Sequence, residues 1–214
     1  MHIPDGFIAP QVYLPAYGVA GVAWSWALRR VRSLLREETI PRLAVLTALS
    51  FVLMSVMIPL PGGTSAHATG VALLALAFGV QTAFLAVSLV LLVQALVLGA
   101  GGVTALPLNA LAIGLAGGLA ARASYRILRP AGEAVALIAA GWVSINLAAL
   151  ILAVVLGIQP LVAHDPSGRP LFFPFGLAVT IPAMAGIHAV VGIGEGLLTL
   201  LVWRAGKRRG WFGP

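Results

Sequence analysis

The sequence predicts an all-α polytopic membrane protein of about seven transmembrane helices, its N-terminus outside and its C-terminus cytoplasmic. Three observations carry that prediction. The chain is 60% hydrophobic and 9% charged over 214 residues, against about 25% charged in soluble domains, and its mean hydropathy is +1.04. Its apolar runs approach the 17–25 residues, roughly, that a helix needs to cross the hydrocarbon. Twelve of its thirteen Lys and Arg residues fall in three of the polar segments beside those runs.

The first span runs from about Gln11 to Leu28, with Pro15 tolerated near its outer end. Arg29, Arg30, Arg32, Arg36, Glu37 and Glu38 then form a polar loop. A second span covers about Arg42 to Leu60 and stops at Pro61-Gly62-Gly63. The third, His67 to about Val80, is short, near 20 Å at about 1.5 Å per residue. It spans only if the loop before it dips into the bilayer and is buried in protein. The fourth span, Gln81 to Leu98, ends at Gly99-Ala100-Gly101-Gly102. The fifth, about Pro107 to Ala121, meets Arg122, Arg126 and Arg129. Glu133 to Leu156 makes the sixth, followed by a loop with His164, Asp165, Pro166, Gly168 and Arg169. The seventh runs from about Gly176 to Trp203, before Arg204, Lys207, Arg208 and Arg209.

The segments after spans one, five and seven hold five (with Arg42), three and four basic residues, leaving Arg169 alone on the other side. The positive-inside rule makes those segments cytoplasmic. Met1 and the loop holding His67 then share the outer face. The net charge of +7 therefore belongs to topology and not to nucleic-acid binding.

No fixed-period repeat, low-complexity tract or long linker divides the chain, which reads as one membrane domain over 1–214. The first residues lack the basic n-region and cleavage site of a signal peptide, and retention of the initiator Met is expected beside the bulky His2. With no cysteine, thiolate metal sites and disulfides are excluded. There is no phosphate-binding Gly-x-x-x-x-Gly-Lys-Ser/Thr loop, no His-Glu-x-x-His and no Gly-x-Ser-x-Gly elbow, so none of those hydrolase chemistries is encoded. The chain reads as no enzyme, and any ATP hydrolysis belongs to other subunits.

Chemistry concentrates at Met1-His2-Ile3-Pro4-Asp5-Gly6. An α-amine, the amide nitrogen of residue 2 and the His2 imidazole can wrap one ion in two fused chelate rings. A fourth corner stays open for a distant histidine such as His67. Four nitrogens in a plane suit Ni(II) or Cu(II), and low-spin cobalt, better than calcium or magnesium. Pro-Asp-Gly is turn chemistry that folds residues 1–7 back as a plug. The plain alternative makes His2 the second residue of a frayed terminus. His67 is expected in the first turn of a helix, where the dipole favours the neutral, metal-binding imidazole; the alternative is an ordinary polar cap. Thr64 suits capping and Ser65 an orienting hydrogen bond to the site.

The start Met1-His2-Ile3-Pro4-Asp5-Gly6-Phe7-Ile8 resembles the CbiM/NikM family, the substrate-binding (S) membrane component of cobalt and nickel energy-coupling factor (ECF) transporters. Pro59 to His67, Val93-Gln94-Ala95-Leu96 with Gly101 to Leu106, and His188 to Gly196 match the same family. The resemblance implies a metal site at Met1, His2 and His67, with nickel or cobalt as transported substrate. It also implies a transmembrane coupling (T) protein and two cytoplasmic ATPase subunits in a prokaryotic cytoplasmic membrane, with a small accessory membrane subunit in many members. The His-Ile-Pro-Asp-Gly start looks more like nickel members. Two features depart from the family pattern: Ala100 stands where an acidic residue is common, and Pro107-Leu108 interrupts the run before Asn109.

His188 and Glu195 lie seven residues apart on one helical face. Ionisable residues within a membrane point to function, though a polar stripe that pins helix packing beside Gly192, Gly194 and Gly196 explains them too. Gln94, Asn109 and Asn146 read as glue between helices, and Ala16-x-x-x-Ala20 and Gly114-x-x-x-Gly118 as close contacts. His164 reads as solvated. Two other functions fit less: a stand-alone secondary transporter or channel for a small cation, and a membrane assembly subunit without metal.

Overall fold

The computed structural model describes residues 1–32, 37–59 and 65–212. Thr64, with Pro61-Gly62-Gly63, and Arg36 lie outside the described residues. Seven helices form in the described residues: α1 Pro10–Val31, α2 Thr39–Ser55, α3 Val71–Phe78, α4 Val80–Leu98, α5 Leu106–Ala131, α6 Glu133–Val162 and α7 Leu177–Arg208. The last four are long and apolar enough to cross a membrane. Helix α2 is apolar but has 17 residues. Helix α1 has 22 but is less apolar, carrying Tyr13, Tyr17, Trp24 and Trp26.

The helices start and stop where the backbone chemistry says they should. Pro10 stands at the first position of α1, where its missing N–H leaves nothing unsatisfied. Gly79 (φ +89°) separates α3 from α4, a conformation glycine adopts without strain. The sequence reading placed the third span over His67 to Val80. The structure starts its helix four residues later, because Gly70 takes φ +69° and the amides of Thr69 and Gly70 are bound by Glu195. A wider π turn, Gln94–Leu98, ends α4, and another, Ala110–Ala116, interrupts α5. At the first, the Gln94 side chain donates to the Phe51 carbonyl and Ser55 Oγ, both at 3.2 Å, fastening α2.

Helices α6 and α7 form the most extensive pair and α5 packs beside α6, while α2 touches mainly α3 and α4. Glycines permit the α6–α7 approach: a Cβ on Gly196 would stand 2.5 Å from the Ile138 carbonyl oxygen, and one on Gly192 2.7 Å from Asn146 Nδ2. Gly194 faces open space, so of the three glycines grouped in the sequence reading only two serve this contact. A short antiparallel pair, β1 Ile58–Pro59 and β2 Ser65–Ala66, brings Ser65 opposite Pro59. The core runs through the helices and includes Met1, Ile3 and Ile8. The N-terminal segment is therefore an interior element.

Candidate metal centre

Three anchors hold residues 1–9 against the helices. The Ile3 amide donates to Asn109 Oδ1 at 3.0 Å, and Asn109 Nδ2 donates to the Ile3 carbonyl at 3.1 Å. The Asp5 carboxylate accepts from the Val103 amide (3.1 Å), the Thr104 amide (2.8 Å) and the Thr104 hydroxyl (2.5 Å). These bonds hold its pKa below the usual carboxylate value against an opposing effect of burial. The Ala9 amide donates to Gln159 Oε1 at 2.9 Å. Gly6 turns the chain at φ +85°, as the Pro-Asp-Gly sequence requires. Gly101 and Gly102 close over the segment: a Cβ on Gly101 would meet His2 Cβ at 3.2 Å, and one on Gly102 would collide with the Asp5 amide.

Within this frame Met1 is 0%, His2 3% and His67 1% exposed. The Met1 amine donates to Ser65 Oγ at 3.1 Å. The His2 and His67 rings lie 4.3 Å apart between centroids, tilted by 46°. His67 Nδ1 stands 3.0 Å from the Ala68 carbonyl. A carbonyl only accepts, so Nδ1 carries the proton and Nε2 is left with a lone pair. That Nε2 and both ring nitrogens of His2 are buried and have no hydrogen-bond partner. Buried polar atoms are rarely left so, and each calls for an explanation.

Electrostatics favours the neutral forms. Burial holds the Met1 amine well below its ordinary value. It lowers His2 likewise, with the amine's charge adding to the effect. His67 is lowered by burial, then by the amine and His2. Its neutrality therefore comes from desolvation and not from a helix dipole, since α3 begins only at Val71. Among the described residues no three His, Cys, Asp or Glu side chains gather. The donors brought together here are an amine, a backbone amide and two imidazoles, a wholly nitrogen set suited to late first-row divalent ions.

The other sequence candidates separate. Glu195, 0% exposed, accepts from the Thr69 amide (2.7 Å), the Thr69 hydroxyl (3.0 Å) and the Gly70 amide (2.7 Å). It thus fixes the loop that carries His67. His188, also 0% exposed, pairs Nδ1 with the Met184 carbonyl at 2.7 Å and leaves Nε2 unpartnered. Asn146 bonds within its own helix, to the Trp142 carbonyl, and His164 is exposed. Sequence reasoning missed Asn109 as the clamp on Ile3, having taken it for interhelical glue. It missed Gln159 and Asp5 as anchors altogether. A polar residue in an apolar run was the only signal for Asn109, and nothing in the sequence named a partner 106 residues away.

A family model described as CbiM, cobalt uptake substrate-specific transmembrane region, matches residues 2–210. The chain is 39% identical over 212 residues to the probable fused nickel transport protein LarMN of Lactiplantibacillus plantarum, covering 97% of this chain and 65% of that protein. It is 38% identical over 213 residues to the fused nickel transport protein NikMN of Rhodobacter capsulatus, covering 95% of this chain and 61% of the other. It thus spans less than two thirds of either fused relative. A solved structure described as a truncated transition metal transporter superposes with a TM-score of 0.94 at 35% identity, over 98% of this chain and 99% of that one. The family model matches nearly the whole chain and the solved transporter structure shares its fold: the chain belongs to the CbiM family, described as the cobalt uptake substrate-specific transmembrane region.

Proposed function

We propose that this chain is the substrate-specific (S) component of an ECF-type transporter, and that it binds a transition-metal dication at the outer face of a prokaryotic cytoplasmic membrane. The Met1 amine, the deprotonated His2 amide, a His2 ring nitrogen and His67 Nε2 are the ligands. Ser65 orients the amine. Residues 1–7 are the plug that closes over the ion, and 1–214 acts as one substrate-binding domain. The observation that carries this reading is the burial together of Met1, His2 and His67 with three unpartnered ring nitrogens.

Nickel is the favoured substrate and cobalt the close second. A planar nitrogen set suits nickel, and the two fused relatives carry nickel transport in their names. The topology is seven spans with Met1 outside, supported by the segregation of basic residues. Energy comes from a transmembrane coupling (T) protein and two cytoplasmic ATPase subunits, with a small accessory membrane subunit where the system has one.

Calorimetric titration of the detergent-purified protein with Ni(II), Co(II) and Zn(II), beside His2→Ala and His67→Ala, tests this. Tight binding near one ion per chain, lost in both variants, is the expected result and ranks the metals. Binding that survives both substitutions refutes the centre.

A further inference from the structure

At the far end of α5 from Asn109, two adjoining cavities of about 340 and 200 Å³ share Leu76, Tyr125, Arg129 and Trp203 in their walls. The C-terminal residues complete the larger one through specific contacts. Trp211 donates its amide to the Gly206 carbonyl at 2.9 Å and accepts from Arg42 Nη1 at 3.1 Å. Phe212 stacks on Trp203 with ring centres 4.5 Å apart and planes inclined by 14°. It lies over Gly206, where a Cβ would collide with its ring. The larger cavity holds one carboxylate, Glu133, which accepts from Lys207 at 3.0 Å, so the pair carries no net charge. The smaller is lined by Arg122, Arg126 and Arg129, at i, i+4 and i+7 on one face of α5. The Arg129 guanidinium stands 5.9 Å over the Tyr125 ring. Among the described residues no carboxylate forms an ion pair with any of the three arginines, and like charges at i, i+4 repel.

Basic residues at a helix end serve topology and offset the helix dipole, but neither role calls for a cavity walled by aromatic rings. Trp and Tyr gather at headgroup depth, which is where Tyr125, Trp203 and Trp211 place these cavities. Leu76 and Ala77 give them an apolar side. Basic pockets between transmembrane helices take lipid headgroups. We propose that the two cavities hold an anionic glycerophospholipid with an uncharged polyol headgroup, of which phosphatidylglycerol is the simplest. Its phosphate lies among Arg122, Arg126 and Arg129. Its hydroxyls reach the Glu133–Lys207 pair, which offers an acceptor and a donor without net charge. The first carbons of an acyl chain lie on Leu76. A soluble anion would leave that apolar side and the aromatic rings uncovered. The site is separate from the metal centre, and it requires only that this end of α5 meet a membrane surface, on either side.

Native mass spectrometry of the full chain in detergent, with equimolar phosphatidylglycerol and phosphatidylcholine added, counts the lipid retained. The parent should keep phosphatidylglycerol, near one per chain, in preference to phosphatidylcholine. Arg122→Gln combined with Arg126→Gln should weaken that binding roughly tenfold or more. Arg208→Gln combined with Arg209→Gln removes the same charge outside the cavities and should stay within about twofold of the parent. All four arginines are exposed, so both variants should fold, and thermal melting verifies it. Equal weakening in the two pairs means general attraction to a basic surface and overturns the site. Equal retention of phosphatidylcholine leaves only an apolar crevice and overturns it too. Inorganic phosphate that displaces the lipid makes this a soluble-anion site and overturns the lipid assignment. A parent chain that retains no phosphatidylglycerol overturns the proposal outright.

Discussion

Replacing Asn109 with Ala should open the plug without touching a proposed ligand. Asn109 is 1% and Ile3 0% exposed, and the two hydrogen bonds between them, at 3.0 and 3.1 Å, satisfy both backbone groups of Ile3. A buried donor or acceptor left without its partner costs about 1–3 kcal/mol, so the truncation penalises the closed terminus by about 2–6 kcal/mol. Opening the plug returns the Ile3 groups to water, so the penalty falls on the closed, ion-binding form alone. Apparent affinity is the intrinsic affinity reduced by the fraction of chains that are closed. At the low end, about 2 kcal/mol, nickel binding weakens roughly 30-fold once open chains predominate. Asn109→Asp still accepts from the Ile3 amide but donates nothing to its carbonyl, and should fall between the two. Calorimetric nickel titration reads the affinity, and helical circular dichroism shows that the bundle is intact. A folded Asn109→Ala protein that binds nickel within about threefold of the parent refutes the reasoning.

Three further outcomes follow from the same geometry. Burial lowers the Met1 amine and both imidazoles, which shifts each toward its neutral form relative to the free group. With those groups neutral, only the His2 amide loses a proton to the metal, and affinity should rise about tenfold per pH unit between pH 7 and 8. Calorimetry in buffers of different ionisation enthalpy should count about one proton released; close to two at pH 7 contradicts the burial argument. Gly102→Ala should weaken nickel binding with little change in helix content, because its Cβ collides with the Asp5 amide and must push the plug outward; an unaltered titration excludes that contact. Glu195→Gln turns an amide N–H2 toward a backbone donor that the carboxylate now satisfies, and should lower thermal stability by about 1–3 kcal/mol. A melting temperature equal to the parent's would contradict the role given to Glu195.

The spans were legible because hydrophobic length is a one-dimensional property. The run from Gln81 to Leu98 gave a helix with nearly those bounds, Val80–Leu98, and the one from Glu133 to Leu156 gave a helix that starts at Glu133 and runs on to Val162. The His67 segment was mistimed because what delays α3 is Glu195, 125 residues away from Gly70, and no local pattern records such a partner. Met1, His2 and His67 were legible because their chemistry is unusual at any position, and a resemblance linked them. Asn109, Gln159 and the Gly101-Gly102 pair were not, since each acts on backbone atoms of residues 3–9 whose side chains give no hint of the pairing. The unpartnered nitrogen of His188 is likewise a property of its surroundings and not of its neighbours in the chain.

The clamps on the N-terminal segment also set an order of events in biosynthesis. Residues 3 and 9 are made early, but their partners follow 106 and 150 residues later. At about 5–20 residues per second, the wait before Gln159 exists is of the order of 10–30 s. Glu195, which steadies the His67 loop, comes later still. A nascent chain therefore lacks the clamps on its N-terminal segment while its remaining helices are still being inserted. On the proposed metal centre, the closed form of the site is thus a property that only the fully folded bundle has.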